Sequence, residues 1–181
     1  MYIKRICYPV TVLGPGNRAC LWVTGCMRNC KGCMSGDLRR KESGRDIPVE
    51  SIYKMIRSIE GKIDGITISG GEPFLQAEEL ALLMLKISSE VTKDIIVFSG
   101  YTLEELKAQA DKNIDFVLST ISVLIDGEYI DELNDGRGMR GSSNQRIHVF
   151  KDPKEYEGLE SSKRSIQVFR EREKMLMVGI Q

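Results

Sequence analysis

The sequence carries the stretch Ala19-Cys20-Leu21-Trp22-Val23-Thr24-Gly25-Cys26-Met27-Arg28-Asn29-Cys30-Lys31-Gly32-Cys33, in which a short apolar run leads directly into three cysteines. The apolar run predicts a β-strand, and the cysteines, spaced C-x₃-C-x₂-C, follow in the loop at its end. Three thiolates this close together can converge on one metal centre. Because a closed four-cysteine site needs one more ligand, the stretch predicts a centre with one open position.

Strand and helix patterns alternate along the rest of the chain. Strands are predicted at residues 2–13, 19–24, 65–69, 94–98, 123–126 and 147–150, and helices begin near Pro48, Pro73 and Thr102. The tail adds two apolar runs, 166–169 and 175–178, which predict a hairpin or edge strands. This alternation predicts an α/β fold with a mostly parallel sheet, in one domain spanning residues 1–181. Every unusual loop follows a strand, so we expect these loops to share one rim.

Composition narrows the function classes. The 181 residues contain 26 Lys+Arg and 26 Asp+Glu, so no global field favours nucleic acid or an anionic membrane. The N-terminus shows no signal-peptide pattern, and no stretch approaches the about 20 apolar residues of a spanning helix. We therefore expect a cytoplasmic protein that binds neither nucleic acid nor membrane.

The five cysteines do not form a secreted disulfide framework, because their number is odd and three are clustered. We expect Cys7 and Cys20, which have apolar neighbours, to be buried as small hydrophobic residues. The clustered cysteines leave two interpretations open. One is an iron–sulfur site, and the other is a zinc site completed by His148. Arg18 and Arg28 are both expected to be exposed.

A second motif, Gly70-Gly71-Glu72-Pro73, follows the strand at 65–69. Alone it is a tight turn, but its glycines would let the backbone approach a ligand, and Glu72 could pair with a cationic α-amino group. A four-iron cluster held by three thiolates leaves one iron open. The methionine end of S-adenosylmethionine (SAM) can chelate that iron through nitrogen and carboxylate oxygen. The two motifs therefore favour a cluster together with SAM.

With these motifs the chain resembles the radical SAM superfamily, and more closely the small activating proteins of anaerobic (class III) ribonucleotide reductases. The resemblance covers most of the chain. Its points, besides the cysteines and Ser69–Pro73, are the segments 14–18, 100–106, 123–127 and 140–146. The cysteines and the glycine–glutamate turn are typical of the whole superfamily, whereas Arg140–Arg146 indicates the activating proteins.

The resemblance implies a partial (β/α) barrel with a [4Fe-4S] cluster at its mouth. It also implies reductive cleavage of SAM to a 5′-deoxyadenosyl radical, with no catalytic residue beyond the cluster and SAM. The implied iron ligands are Cys26, Cys30 and Cys33. The implied SAM-binding residues are Gly32, Met34, Gly70, Gly71, Glu72, Asp126, Asn144, Gln145 and Arg146. The implied partners are a glycyl radical enzyme of the class III reductase type and a flavodoxin- or ferredoxin-type electron donor.

Two departures from the activating-protein pattern leave other functions open. Met34-Ser35-Gly36-Asp37-Leu38 replaces an Asn-Pro-Glu-like run, and the tail is longer than in the smallest members. One alternative is a radical SAM enzyme that acts directly on a nucleoside-like small molecule or a peptide. The other is a non-catalytic iron–sulfur or zinc binding module.

Overall fold

The structure is a computed structural model that describes residues 1–171 and 174–180. It contains a seven-stranded sheet and a separate two-stranded hairpin. The strands are β1 (Tyr2–Val10), β2 (Arg18–Val23), β3 (Arg45–Asp46), β4 (Gly65–Gly70), β5 (Ile95–Phe98), β6 (Val123–Asp126), β7 (Arg146–Val149), β8 (Ile166–Glu171) and β9 (Lys174–Gly179). The helices are α1 (Val49–Arg57), α2 (Ala77–Glu90), α3 (Leu103–Ala108) and α4 (Lys112–Thr120).

The sheet has the order β3-β1-β2-β4-β5-β6-β7. Its four central strands, β2, β4, β5 and β6, are parallel, whereas β1, β3 and β7 pair antiparallel with their neighbours. The structure therefore confirms the α/β class and the parallel centre of the sheet. Because the central strands are parallel, the loops at their C-terminal ends all lie at one edge, which is where the site is built.

The two faces of the sheet bury different residues, because successive side chains of a strand point to opposite sides. Leu21 and Val97 belong to one core, which all four helices cover, whereas Cys20 and Ile96 belong to a second core on the other face. The second core is completed by the C-terminal hairpin, through Val178 and other residues. The sheet is thus a layer between the helices and the hairpin.

The helices follow the predicted patterns, with one addition. Thr102 and Glu105 form the predicted capping box at the start of α3. The sequence interpretation missed α4, which Asp111 caps by accepting from the backbone N–H of Asn113. Its apolar stripe is short, and Ile114 and Val117 supply its buried contacts.

Arg18 corrects the expectation of an exposed side chain. It is fully buried, and its guanidinium pairs with the Asp94 carboxylate at 2.8 Å. It also donates to Thr67 Oγ1 at 2.7 Å and to the Ile66 carbonyl oxygen at 2.8 Å. A guanidinium can be buried when carboxylate and carbonyl oxygens accept its hydrogen bonds, and Arg18 meets that condition.

The expectations for the two isolated cysteines and for the tail agree with the structure. Cys7 and Cys20 are buried, and burial raises the pKa of Cys20 to about 12. The predicted tail hairpin is formed by β8 and β9 in antiparallel register. Of the charged run Arg170-Glu171-Arg172-Glu173-Lys174 between the two apolar runs, residues 172 and 173 lie outside the described residues. Among the helices that the structure describes, none is both long and apolar enough to span a bilayer.

Candidate functional site

Four loops at the C-terminal ends of the central strands line one cavity of about 370 Å³. The lining residues in these loops include Cys26 after β2, Glu72 after β4, Gly100 after β5 and Gly127 after β6. Trp22 and Phe98 of the sheet line the same space. The expectation that the unusual loops share one rim is therefore confirmed.

The cysteine loop brings all three clustered thiols to this cavity. Cys26, Cys30 and Cys33 line it, and each is half-buried and free of disulfide bonds. Backbone hydrogen bonds hold the ends of the loop: the Cys26 N–H donates to the Arg39 carbonyl, and the Gly36 N–H donates to the Cys33 carbonyl. The loop thus presents three cysteines to one cavity.

Burial raises the pKa values of the Cys26 and Cys30 thiols. A thiol must lose its proton to ligate iron, so metal binding at this loop releases protons. Within residues 1–171 and 174–180, no three His, Cys, Asp or Glu side chains are grouped to hold a single metal ion. The three thiols all line the same cavity.

Glu72 is a second polar group of the cavity wall, and its side chain is almost completely buried. Its carboxylate accepts from the Phe74 N–H at 3.0 Å, the Ser99 hydroxyl at 3.0 Å and the Gly100 N–H at 2.7 Å. Burial raises its pKa to about 7, although the three hydrogen bonds oppose this rise. A buried carboxylate of this kind favours a cationic ligand group, because pairing restores its charged form.

Gly70 and Gly71 line the cavity, and backbone packing also requires a glycine at each position. A Cβ atom on Gly70 would lie 2.5 Å from the Val23 carbonyl oxygen, and one on Gly71 would lie 2.4 Å from the Gly25 carbonyl oxygen. Gly70 also has a φ of +109°, where a side chain would be strained. The glycines therefore let the end of β4 close against the start of the cysteine loop, which fixes Glu72 beside the thiols.

Arg28 lies within the cysteine loop and also lines the cavity, so its exposure corrects a second expectation. Its side chain is only 24% exposed, and its guanidinium lies 4.7 Å from the centre of the Tyr101 ring. It pairs with Glu105 at 2.7 Å and with Glu128 at 3.5 Å. Its Nε atom is buried without a hydrogen-bond partner among the described residues. This orphaned donor beside the thiols fits a site that receives an anionic group.

Two more residues of the predicted set, Met34 and Gln145, line the cavity. The Gln145 side chain donates to the Gly127 carbonyl at 2.7 Å and accepts from the Gly141 N–H at 2.7 Å. Gly32 belongs to the cysteine loop but is not among the residues that line the cavity. A Cβ atom on Gly32 would lie 2.7 Å from a carboxylate oxygen of Asp131, so a larger residue would clash with Asp131 there.

Three other predicted residues pair with protein groups outside the cavity lining. Asp126 is fully buried and accepts from Arg146 at 2.7 Å and from the Leu103 N–H at 2.6 Å. Burial opposes its ionisation, but these hydrogen bonds lower its pKa overall. Arg146 also pairs with Glu104, and the Asn144 amide donates to the Glu128 carbonyl at 2.8 Å.

The zinc interpretation required His148 beside the three thiols. In the structure His148 lies on β7, half-buried, with Nε2 2.9 Å from Asp126 Oδ2. His148 is also not among the cavity-lining residues. The structure therefore does not bring the four proposed zinc ligands together.

The sequence interpretation missed Ser99 as a site residue. Ser99 is buried, donates to Glu72 and accepts from the Tyr101 N–H at 3.0 Å. The signal was the Ser99-Gly100 turn after a strand, but its link to Glu72 spans 27 residues of sequence. Such a contact follows from the strand order, which places β4 beside β5.

Comparison with known proteins gives a consistent result. Residues 12–148 match the family described as a 4Fe-4S single cluster domain. The chain is 39% identical over 151 residues to the anaerobic ribonucleoside-triphosphate reductase-activating protein of Vibrio cholerae, covering 79% of this chain and 95% of that protein. The Escherichia coli K12 protein of that name is 36% identical over 149 residues (78% and 94% covered), and the phage T4 protein is 31% identical over 140 residues (75% and 86% covered).

Proposed function

The chain belongs to the family of anaerobic ribonucleoside-triphosphate reductase-activating proteins, and from that premise we propose how its cavity generates a radical. It is a radical SAM enzyme that activates a glycyl radical enzyme, and its cofactors are a [4Fe-4S] cluster and SAM. The observation that carries this proposal is the shared cavity, which three half-buried cysteines and the buried Glu72 line together.

In this proposal Cys26, Cys30 and Cys33 would hold the cluster as its three protein ligands, and SAM would bind beside it. When both cofactors are bound, one electron from the reduced cluster cleaves a carbon–sulfur bond of SAM to give methionine and a 5′-deoxyadenosyl radical. The chain's own residues bind and orient the cofactors and exclude water. Trp22 and Phe98 supply apolar wall for that exclusion, since both line the cavity.

Glu72 is the group that we assign to the α-amino end of SAM. Its raised pKa and its position on the cavity wall support a cation partner. Gly70 and Gly71 would line the same end through their backbone. Met34 and Gln145 line the cavity as well, and we assign them to the nucleoside end. Gly32, which does not line the cavity, would contribute only through the backbone of the cysteine loop that leads to Met34.

Asp126, Asn144 and Arg146 receive an indirect role in this proposal. Asp126 fixes α3 through the Leu103 N–H and holds Arg146, while Asn144 holds the backbone at Glu128. Because the Glu128 side chain also pairs with Arg28 of the cysteine loop, the contact between Asn144 and Glu128 connects this group of residues to that loop. We therefore propose that these residues position the cavity wall and do not contact SAM.

The partner in this proposal is the class III ribonucleotide reductase, which would lose a hydrogen atom from a backbone glycine to the 5′-deoxyadenosyl group. A flavodoxin- or ferredoxin-type protein would supply the electron. We further propose that residues 1–181 form a single domain whose sheet is a partial (β/α) barrel. We also propose that the protein works in the cytoplasm, together with its reductase.

The direct test is anaerobic reconstitution with iron and sulfide, followed by incubation with dithionite and SAM. The proposal predicts formation of 5′-deoxyadenosine and methionine by the wild-type protein and none by the Cys30→Ala variant. Cys20→Ala is the matched control, because Cys20 is buried away from the cavity lining. The absence of 5′-deoxyadenosine from reconstituted wild-type protein would contradict the proposal.

A further inference from the structure

The C-terminal hairpin has an inner face that packs against the sheet and an outer face that is exposed to solvent. In the register of β8 and β9, Phe169 pairs with Leu176 and Gln167 with Val178, so these four residues share one face. Val178 is buried, and Phe169 and Leu176 pack against the second core. Gln167 donates to the Pro9 carbonyl at 2.9 Å. This inner face is thus fixed to the sheet.

The outer face of the hairpin is largely apolar although it faces solvent, and Arg170, which pairs with Met175, is its charged exception. Val168 pairs with Met177 on that face, and Ile166 and Met175 lie beside them. Their exposed fractions are 46% for Ile166, 55% for Val168, 78% for Met175 and 61% for Met177. An antiparallel sheet with one solvated face normally carries polar residues there, and contiguous exposed apolar residues mark interaction sites.

This outer face continues into the cavity that holds the thiols. Residues 176–180 of the hairpin line the cavity, and Met177 is therefore both exposed and part of its wall. On the cysteine loop, Met34 lines the same cavity and is 48% exposed, while Met27 is 81% exposed. Apolar side chains thus border the cavity on two elements that are far apart in sequence. We call Met27, Met34, Ile166, Val168, Met175 and Met177 the methionine rim.

We infer that the methionine rim is the docking surface for the glycine-bearing segment of the reductase partner. The inference rests on the proposed function, in which a hydrogen atom leaves a backbone glycine of another protein. That glycine must reach the cavity, so the polypeptide around it must lie on the rim. The hairpin lies beyond residue 148, where the match to the cluster-domain family ends.

The chemistry of the rim suits a polypeptide occupant. Methionine side chains are flexible and polarisable, and they adapt to irregular protein surfaces. The hairpin also has two strands, so a partner segment could extend it by adding a strand at an open edge. Both modes bury the outer face without altering the inner face, which packs against the sheet.

The test compares binding and chemistry in the Val168→Asp/Met175→Asp variant of the reconstituted protein. Neither residue lines the cavity, so SAM cleavage without the reductase is expected to match wild type. The dissociation constant for the class III reductase encoded in the same genome, measured by calorimetry, is expected to rise about tenfold or more. Met55→Asp is the matched control, because Met55 is 46% exposed on α1, which covers the opposite face of the sheet.

A second variant guards against misfolding of the hairpin. The Val168→Thr/Met175→Gln variant introduces polar residues that strands tolerate. It is also expected to bind the reductase more weakly than wild type. Unchanged reductase affinity in both variants would overturn the inference. A wild-type dimer in solution that these substitutions convert to a monomer would also overturn it, because a second copy would then cover the rim. Failure of the proposed function would appear separately, as absent SAM cleavage in wild type.

Discussion

Arg28 donates from Nη2 to both carboxylate oxygens of Glu105, at 2.8 and 2.7 Å, and this contact ties the cysteine loop to the first turn of α3. Glu105 also accepts from the Thr102 N–H at 2.7 Å as part of the capping box. A helix cap and the loop that carries the thiols therefore share one carboxylate. The position of the loop depends on α3 as well as on its own backbone.

Arg28→Ala should loosen the cysteine loop without unfolding the sheet. The substitution removes the contacts with Glu105, Glu128 and the Tyr101 ring, so we expect the cluster to be lost to a chelator several times faster. The measurement is the decay of cluster absorbance after the chelator is added anaerobically. Arg57→Ala is the control, since Arg57 pairs with Glu90 and covers the Tyr53 ring on the helical side. Equal decay rates in the wild type, Arg28→Ala and Arg57→Ala would show that Arg28 does not stabilise the cysteine loop.

The three clustered cysteines should each be necessary for iron. Cys26→Ala, Cys30→Ala and Cys33→Ala are expected to lose most bound iron and acid-labile sulfide after reconstitution, because three thiolates are the proposed complete protein ligand set. Cys7→Ala and Cys20→Ala should retain both, since these thiols are buried in the second core. Iron and sulfide per chain measure the outcome. Full iron content in any of the first three variants would remove that cysteine from the ligand set.

Glu72 should make SAM binding dependent on pH. With a pKa of about 7, its ionised fraction falls roughly eightfold between pH 7.5 and pH 6, and the affinity for the cationic group should fall with it. The ligand-free protein also loses folding stability as the pH rises from the usual glutamate pKa to about 7, because the buried carboxyl must ionise. A bound ammonium group offsets that loss. Glu72→Gln should bind SAM more weakly and with little pH dependence, while keeping its iron. Calorimetry with SAM at both pH values checks this, and a pH-independent wild-type affinity would contradict it.

The buried pair of Arg18 and Asp94 should be important for folding. Arg18→Leu leaves the Asp94 carboxylate, which is 18% exposed, without its guanidinium partner. Breaking a buried pair in this way costs about 3 to 5 kcal/mol of unfolding free energy. Urea denaturation monitored by circular dichroism measures the loss. Lys54→Ala, which removes an exposed partner of Glu50, should leave the midpoint nearly unchanged, and equal midpoints for the two variants would refute the expectation.

The sequence predicts most of the fold because its patterns are local. Strand and helix periodicity, the Thr102–Glu105 capping box and the loop positions after strands all depend on neighbouring residues. The helix α4 was missed because it is short and its apolar stripe offers two buried positions, Ile114 and Val117. A helix of nine residues is marginal alone and depends on packing against its neighbours, which no local pattern reports.

Contacts between distant segments explain what the sequence could not predict of the site. Arg18 is buried because Asp94, 76 residues away, lies beside it, and Asp126 and Arg146 pair across 20 residues. The roles of Gly70 and Gly71 likewise depend on Val23 and Gly25 of the neighbouring strand end. Cysteine spacing, by contrast, is a local pattern, and it placed three thiols in one loop before their cavity was known.

The central claim is that the radical formed in this cavity ends on a glycine of the reductase. Electron paramagnetic resonance tests this most directly, on an anaerobic mixture of reconstituted protein, dithionite, SAM and the class III reductase encoded in the same genome. We predict a glycyl-radical doublet that depends on SAM and disappears with the Cys30→Ala variant. A mixture that produces 5′-deoxyadenosine but shows no doublet would contradict the claim, because the radical would then end elsewhere.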